Sequence, residues 1–407
     1  MGDAIIFGNK WDFECKIGET SFTKDAIRSM NLVENIFNPF WAGEIGIKDT
    51  YNMVDNLYSS KGDGSDIFTI KMKPKDGGGD PLELKGILWD ETNDVSFQDR
   101  ADMFKIYRIV DDGFVKLNIP IPYGKRYRGK VGKILKDIYQ EYGLPIGAAW
   151  DEGDHEIDIF PEHILPPISF RMTDLVQYLV RINYKKVGQD THVRTLLYWD
   201  RGVKAYVLKG LDTMFSNTKC EEGFLGAEFG VGIAGGDCPS TLKSFLHSTN
   251  LMTPMLTVSN EYFMNSMVSG YDPELGEHGI REVRISDVKA KWGKEIVKKM
   301  GAVTPFLPLS QDQKTKLFRT MSFPFKLDNM AKLAEAELIG NMTFYNLELA
   351  LQQLGDTKRH AGMFASVSVN SVFENKKLVG NWLVTKVGHQ FINDVYYNVI
   401  NMCKVYT

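Results

Sequence analysis

The sequence predicts a β-rich α+β protein, in which strand-forming regions at both ends of the chain enclose a mixed region of helices and strands. Three observations predict this class. Alternating apolar and polar residues fill positions 30–122, amphipathic helical patterns follow from position 130, and a long hairpin pattern closes the chain at 378–407. At 407 residues the chain is long enough for roughly two to four domains.

The N-terminal region is predicted to consist of strands. Its strand patterns are rich in β-branched and aromatic residues, and the glycines at 77–79 indicate a hairpin loop between two of them. Pro120 and Pro122 end this unit, because proline donates no amide hydrogen bond to a strand ladder. The patterns are FWAGEIGIKDT, DIFTIKMKPK, LELKGILWD and MFKIYRIV.

Two helices are predicted next. Positions 130–143 repeat apolar residues at helical spacing and end in glycine, which commonly terminates helices. The pattern MTDLVQYLVRINYKK predicts the second helix, with Thr173 or Asp174 as its N-cap. The apolar face of the first helix consists of Val131, Ile134, Leu135, Ile138 and Tyr139.

The middle of the chain mixes both kinds of pattern. RTLLYWDRGVKAYVLKG predicts a hairpin that turns at Arg201 and Gly202. A helix is predicted near SDVKAKWGKEIVKKM, and LDNMAKLAEAELIG, positions 327–340, predicts a clearer one. From Met342 onward we expect strands.

The closing hairpin is predicted to turn at Asn393 and Asp394, because both residue types tolerate positive φ. His389 then faces an amide across the strands, which favours a hydrogen-bonded wall residue over a base or ligand. The predicted facing pairs are Ile392 with Val395, His389 with Asn398, and Trp382 with Val405. The candidate wall residues are Trp382, Val387, His389, Phe391 and Tyr397.

Composition indicates a soluble globular protein, with 43% hydrophobic and 25% charged residues. No apolar run reaches the ~18 residues of a membrane span, and the first residues do not form a signal-peptide pattern, so we expect folding in a cytosol. We predict no cofactor and no metal site. The cysteines, predicted to be free thiols because their spacing suits neither zinc nor a redox pair, are Cys15, Cys220, Cys238 and Cys403.

Charge is distributed unevenly along the chain. Net charge is −4, which argues against a dedicated nucleic-acid binder. Residues 1–122 carry 14 Lys and Arg against 21 Asp and Glu, a net −7, whereas residues 123–407 carry 34 against 31, a net +3. The acidic excess therefore belongs to the N-terminal region.

Short motifs leave enzyme functions as alternatives. GKRYRGKV resembles a phosphate-binding loop, but Val131 stands where Mg²⁺ needs a hydroxyl, and bulky residues replace the small ones that let amides close on phosphate. We therefore favour a basic loop that leads into a helix. GVGIAGG, at 230–236, is interpreted as a flexible loop because Pro239 follows where a dinucleotide fold needs a helix, and DEGDHEIDIFPEH, at 151–163, as a solvated loop entering the strand EIDIF.

Five segments of the chain carry a family resemblance. They are AKLAEAELIG, FASVSVN and KLVGNWLVTKVGHQFINDVYYNVINMCKV at the end, ENIFNPFWAGEIGIKDT near the start, and GKVGKILKDIYQEYGL between them. Together with the order of elements, these segments resemble the central baseplate hub proteins of contractile-tailed phages, the T-even hub family. Hubs of contractile secretion systems and bacteriocins share these motifs.

This resemblance implies two tube-like antiparallel β-barrels with inserted mixed α/β domains. The wall residues named above, His389 among them, would then belong to a barrel. The implied division is a first barrel at 1–122, an inserted α/β domain at 123–205, a second barrel from 206–235 together with 325–407, and a second inserted mixed domain at 236–324.

The resemblance also implies a function. The chain would be a homotrimeric symmetry adapter that joins the six-fold tail tube to the three-fold central spike in the virion baseplate, assembled in the host cytoplasm. Expected partners are the tail tube ring and the spike, with baseplate wedge and tape-measure proteins as further candidates. DNA would only pass through the channel, and we expect the N-terminal acids to face it because carboxylates repel phosphates. The alternatives are a phosphate-loop NTPase and a tail-associated cell-wall-degrading enzyme.

The phosphate-loop alternative has a direct test. We expect calorimetry with Mg-ATP to show no binding heat, and Lys130→Ala to leave that result unchanged, because the loop lacks the hydroxyl that holds Mg²⁺. Saturable micromolar binding that is lost in Lys130→Ala would support the NTPase instead.

Overall fold

The computed structural model describes residues 11–18, 20–48, 67–74, 81–92, 105–166, 170–216, 227–229, 248–252, 265–272, 277–297, 318–322, 326–345, 347–369, 380–392 and 395–404. The glycines at 77–79, the turn at Asn393 and Asp394, and the glycine-rich stretch at 230–236 lie outside these residues.

Strands make up most of the described elements. They are β1 (Trp11–Ile17), β2 (Thr20–Phe22), β3 (Ile27–Asn35), β4 (Ala42–Ile47), β5 (Ile67–Pro74), β6 (Leu82–Thr92), β7 (Lys105–Asp111), β8 (Tyr127–Lys130), β9 (Ile146–Trp150), β10 (Glu156–Ile159), β11 (Tyr184–Val187), β12 (Thr191–Asp200), β13 (Ala205–Gly210), β14 (Ala227–Phe229), β15 (Ser248–Met252), β16 (Asn265–Asp272), β17 (Glu277–Val283), β18 (Phe318–Ser322), β19 (Leu347–Leu354), β20 (Phe364–Val369), β21 (Gly380–Ile392) and β22 (Val395–Lys404). The α-helices are α1 (Asp112–Leu117), α2 (Val131–Glu141), α3 (Met172–Ile182), α4 (Leu211–Ser216), α5 (Ile285–Trp292) and α6 (Leu327–Phe344).

A large, mainly antiparallel sheet joins the two ends of the chain. Its described strands run in the order β15-β19-β22-β21-β3-β4-β7-β6-β5-β1-β2, and β20 also pairs with β21. The N-terminal and C-terminal strands meet where β21 pairs with β3, with Lys386 opposite Asn35 and Ile392 opposite Ser29. The strands predicted for the N-terminal region are confirmed, and they belong to the same sheet as the closing hairpin.

This sheet curls until distant strands touch. Phe13 of β1 stacks on Phe391 of β21 with ring centroids 5.5 Å apart, although five strands lie between β1 and β21 in the sheet order. Apolar side chains from these strands form one buried cluster inside the curl, which includes Ile17, Leu32 and Ile70. The β-rich α+β class is therefore confirmed, whereas closure into two separate barrels stays a prediction.

A smaller α/β unit follows the N-terminal strands. Its sheet has the order β11-β12-β13-β9, in which β13 lies parallel to β9, and helices α2 and α3 pack on the same core. The predicted helix of residues 130–143 is confirmed, with its whole apolar face buried. The hairpin of β12 and β13 is confirmed too, with Arg201 and Gly202 in its connection. Strand β13, residues 205–210, thus pairs within this unit, and the predicted domain boundaries stay predictions.

Helix α3 begins differently from its prediction. Arg171, not Thr173 or Asp174, precedes the helix, and its side chain makes no capping hydrogen bond. Arg171 forms an isolated β-bridge with Pro120, and the amide of Met172 donates to the carbonyl of Ile119 at 2.9 Å. A distant backbone carbonyl therefore satisfies a helix amide that the prediction had assigned to a local side chain.

Helix α6 runs four residues past Gly340, where the prediction ended it. Met342, Thr343 and Phe344 are buried in the helix, and Thr343 accepts a hydrogen bond from the indole of Trp292 at 3.0 Å. This packing outweighs the weak helix propensity of glycine. The next described strand begins at Leu347.

The closing hairpin confirms two of its three predicted pairs. Ile392 faces Val395 and His389 faces Asn398. The third pair, Trp382 with Val405, is wrong, because the register shifts between Val384 and Lys386 and sets Leu383 opposite Cys403. Thr385 is the extra residue of this bulge: its hydroxyl donates to the carbonyl of Asn401 and its carbonyl accepts from the amide of Ile36, both at 3.0 Å.

The contact inside the curl gives a prediction. Phe391→Ala should lower the free energy of unfolding by about 3 to 5 kcal/mol, because it empties a buried site and removes the stack on Phe13. Ile392→Ala is the matched control: its side chain is 45% exposed and should cost less than about 1 kcal/mol. Equal losses in urea denaturation would contradict the buried contact.

Candidate functional site: a buried ionic junction

Buried polar side chains converge where four parts of the chain meet. These parts are strand β3, the connection between β12 and β13, the segment 356–361, and the closing hairpin. We call this group the Glu34 junction. Its members are Glu34, Arg201, Thr357, Arg359, His360, His389, Tyr396 and Asn398.

An ion pair lies at the centre of the junction. The Nε of Arg201 donates to Oε1 of Glu34 at 2.6 Å, and its remaining nitrogens donate to the carbonyls of Thr357, at 2.5 Å, and Arg359. The other oxygen of Glu34 accepts from the amide of Ala361 at 3.3 Å. One arginine from the α/β unit therefore links the N-terminal strand β3 to a C-terminal segment.

The hairpin supplies the second half of the junction. The hydroxyl of Tyr396 lies 2.6 Å from Nδ1 of His389, and the amide nitrogen of Asn398 lies 3.1 Å from the same atom. The oxygen of Asn398 accepts from Arg359 at 3.1 Å and from the amide of Asp356 at 2.6 Å. These contacts hold the segment 356–361 against the hairpin.

A glycine permits this close approach. The backbone of Gly355 lies so near the ring of Tyr396 that an added Cβ would come within 1.9 Å of its Cδ1. The amide of Gly355 also donates to the carbonyl of Tyr396 at 2.8 Å. A side chain at position 355 would push the segment away from the hairpin.

Electrostatics keep Glu34 ionised. Burial alone would raise its pKa, but the charge of Arg201 and the neighbouring rings of His389 and His360 together lower the pKa to about 2. Burial lowers the pKa of His389, and the attraction of Glu34 offsets this only in part. The histidine is therefore neutral near pH 7. With Nδ1 facing the amide nitrogen of Asn398, the ring proton belongs on Nε2, which lies 3.6 Å from Glu34.

A carboxylate beside a histidine also occurs in acid–base catalysis, but here the pair has no access for a substrate. His389 is 0% exposed and Glu34 is 2% exposed. A catalytic base must come within hydrogen-bonding distance of the proton that it removes. The junction therefore links segments that are distant in sequence and holds them together in the fold.

Several solved structures share this architecture. A 43 kDa tail protein of prophage MuSo2 from Shewanella oneidensis matches with a TM-score of 0.53 and 11% identity, over 96% of this chain and 97% of its own. A tail protein from Neisseria meningitidis matches with a TM-score of 0.55 and 9% identity, over 98% of both chains. The chain has the fold of these tail proteins.

A chain of the half-lidded Francisella PdpA–VgrG complex also matches. Its TM-score is 0.51 and its identity 9%, over 97% of this chain and 58% of that chain. No protein-family model and no curated protein matches the sequence.

The predicted wall residues lie in different parts of the closing hairpin and its surroundings. Trp382 and Val387 are fully buried in a small cluster of the C-terminal strands, where the Lys404 ammonium lies 4.8 Å from the Trp382 ring. His389 belongs to the junction, and Phe391 to the core of the curl. Tyr397 is half-buried, on the other face of β22 from Tyr396. Their role as the wall of a closed barrel stays a prediction.

Sequence reasoning missed Glu34, Arg201, Arg359 and Tyr396. The predicted pairing of His389 with Asn398 held a usable signal for one of them. Side chains two residues apart on a strand share a face, so Tyr396 lies on the same face as Asn398. The other three come from segments that meet the hairpin only in the folded chain.

The basic segment that leads into α2 is a strand and not the loop that we favoured from the sequence, and its backbone does not suit a phosphate. Tyr127–Lys130 forms β8 and pairs with β10, with Arg128 opposite Asp158 and Lys130 opposite Glu156. The amides of Val131 and Gly132, which would face a phosphate, donate to the carbonyls of His155 and Glu152 at 2.8 and 2.9 Å. The basic residues therefore belong to a charge-paired ribbon, and the backbone donors are already used.

The stretch 151–163 contains the predicted strand, Glu156–Ile159. His155 is buried, and its Nδ1 lies 2.7 Å from the carbonyl of Ile182. Within the described ranges, no three His, Cys, Asp or Glu side chains come together in a way that could hold a metal ion. None of the described helices is long and apolar enough to cross a membrane. Cys15 and Cys403 are free and buried.

The junction predicts strong coupling between its charges. Glu34→Gln and Arg201→Met should each cost about 3 to 5 kcal/mol in urea denaturation, because each leaves a partner buried without its counter-charge. The double variant should cost clearly less than the sum. Glu44→Gln is the matched control: its pair with Arg108 is 3.7 Å long and half-exposed, and its loss should cost less than about 1 kcal/mol. Additive losses would contradict a coupled pair.

The low pKa of Glu34 also predicts acid sensitivity. Because folding lowers this pKa from 4.5 to about 2, the stabilisation is complete above pH 4.5 and is lost as the pH falls towards 2. The pair's contribution over that window is on the order of 3 kcal/mol. The difference in unfolding free energy between wild type and Glu34→Gln should shrink on acidification, and a constant difference would contradict this assignment.

Proposed function

We propose that the chain is a structural hub protein of a phage-type contractile tail. The observation that carries the proposal is the match to two tail proteins over nearly the whole of each chain, at TM-scores of 0.53 and 0.55. A single curled sheet built from both ends of the chain fits a protein that serves as wall and connector.

In this proposal the chain assembles as a homotrimer. Its large sheet joins an N-terminal set of strands to a C-terminal set through β3 and β21, so each copy offers two β units. Three copies would then present six such units in a ring and match a six-fold tube to a three-fold spike. A Gly-centred strand pattern recurs in both sets, as LELKGILW and KLVGNWLV, which is consistent with two related units.

The proposed role is non-enzymatic. The ionic junction is buried and fastens strands, and the phosphate-like loop is a paired ribbon. Proposed partners are the tail tube ring and the central spike, followed by wedge and tape-measure proteins, in the baseplate of the virion. Among solved relatives in fold, the Francisella VgrG forms a complex with PdpA, which supports partner binding as the use of such a scaffold.

On the described N-terminal strands, acids stand opposite bases: Asp12 faces Lys73 and Glu14 faces Lys71. Most of the acidic excess therefore comes from segments 49–66, 75–80 and 93–104 of the sequence. We propose that much of this acidic excess faces the channel, where carboxylates repel the phosphates of passing DNA.

The assembly is tested by its mass in solution. Light scattering on purified chain, alone and with its spike partner, should give three copies per particle, and a structure of that particle should bury more than ~2,000 Å² at each interface, as in obligate assemblies. Particles that contain one copy at every concentration, with and without the spike, would contradict the adapter role.

A further inference from the structure

A second buried carboxylate lies between the N-terminal strands and the α/β unit. Asp111 ends β7 and is 4% exposed. Its Oδ1 accepts from the amide of Gly113 at 2.6 Å, which caps helix α1, and from the hydroxyl of Tyr206 on β13. The side chain thus joins a helix of one unit to a strand of the other.

Aromatic rings enclose this contact. The ring of Tyr206 packs edge-to-face against Phe40, Tyr139 and Trp199, with centroids 6.2, 4.9 and 5.0 Å away. The hydroxyl reaches the carboxyl because Gly113 has no side chain: an added Cβ would lie 2.0 Å from that hydroxyl oxygen. The surroundings are therefore apolar and closely packed.

Asp111 has hydrogen-bond donors but faces no cation from the described elements packed on it. The titratable groups that face it are Tyr206 from β13, Tyr139 from α2 and its own neighbour Asp112. Asp112 is negative and points to Lys116, 2.7 Å away at the surface. Glu34, equally buried, has Arg201 beside it. The two carboxyls thus differ in counter-charge and not in burial.

That difference decides which carboxyl changes charge. Burial raises the pKa of Asp111 to about 7, against the opposing effect of the Tyr206 and Gly113 hydrogen bonds, whereas the pKa of Glu34 is lowered to about 2. A neutral carboxyl can keep both donors on Oδ1 and carry its proton on Oδ2. Protonation therefore removes the buried charge and retains both contacts.

The aromatic residues around Asp111 include two further hydrogen-bond donors. The hydroxyl of Tyr139 and the Nε1 of Trp199 are buried and find no hydrogen-bond partner among the described residues. A carboxylate formed at Asp111 would attract such donors, and α2 would have to shift to bring the Tyr139 hydroxyl closer.

We propose that Asp111 is a proton-operated latch between the N-terminal strands and the α/β unit: it is closed when the carboxyl is neutral and loosened when the carboxylate forms. The sign follows from linkage. The unfolded chain releases this proton near pH 4 and the folded chain near pH 7. Rising pH between those values therefore destabilises the folded chain, and with it the contact between the N-terminal strands and the α/β unit.

The test compares the full chain with Asp111→Asn, which mimics the neutral carboxyl. Relative to this variant, the wild-type unfolding equilibrium constant should rise several-fold, and at most about tenfold, per pH unit between pH 5 and 7, and level off above pH 8. Asp112→Asn, one residue away at the surface, is the matched control: it should keep a pH-dependent slope like that of wild type, with the midpoint moved to slightly lower pH because one negative neighbour of Asp111 is gone. Equal slopes in wild type and Asp111→Asn would overturn the proposal.

Two further measurements do not depend on that variant. Hydrogen exchange of wild-type peptides covering 112–117 and 205–210, corrected for intrinsic rates, should show protection that falls from pH 5 to 8, and constant protection would overturn the latch. In Tyr206→Phe the carboxylate loses a donor, so the midpoint should move to higher pH. An unmoved midpoint would contradict the role of the hydroxyl.

Discussion

The ion pair between Glu34 and Arg201 is the contact on which the arrangement of the chain depends. It lies at the place where β3 pairs with β21, and its arginine also binds the backbone of segment 356–361. A charge buried this deeply is stable only with its partner in place. The N-terminal strands, the α/β unit and the closing hairpin must therefore meet in one geometry for either charge to be accommodated.

The curl of the large sheet has the same consequence on the apolar side. Phe13 and Phe391 touch across five intervening strands, so the core inside the curl needs both ends of the chain. Backbone hydrogen bonds between β3 and β21 and this apolar core therefore act together to hold the N-terminal and C-terminal strands in one sheet. The chain shares this fold with the two tail proteins.

Two buried carboxyls show how context assigns different roles to the same chemical group. Glu34 stays charged because Arg201 lies against it, and their ion pair holds distant strands together. Asp111 accepts hydrogen bonds from the Tyr206 hydroxyl and the Gly113 amide and has no cation beside it among the described residues, so burial raises its pKa and the proposed latch depends on its proton. Burial is almost equal at the two sites, and the counter-charge makes the difference.

The sequence by itself determined the elements whose pattern is local. The face of α2, the strands β4 to β7 and the pairing of His389 with Asn398 follow from periodicity and turn chemistry, which act within a few residues. Only the tertiary structure decided the rest. The bulge at Thr385, the start of α3 at Met172 and the extension of α6 to Phe344 each depend on a partner far along the chain. The Glu34 junction is the clearest case, because its residues lie up to about 360 positions apart and a single charged residue has no period from which its partner could be read.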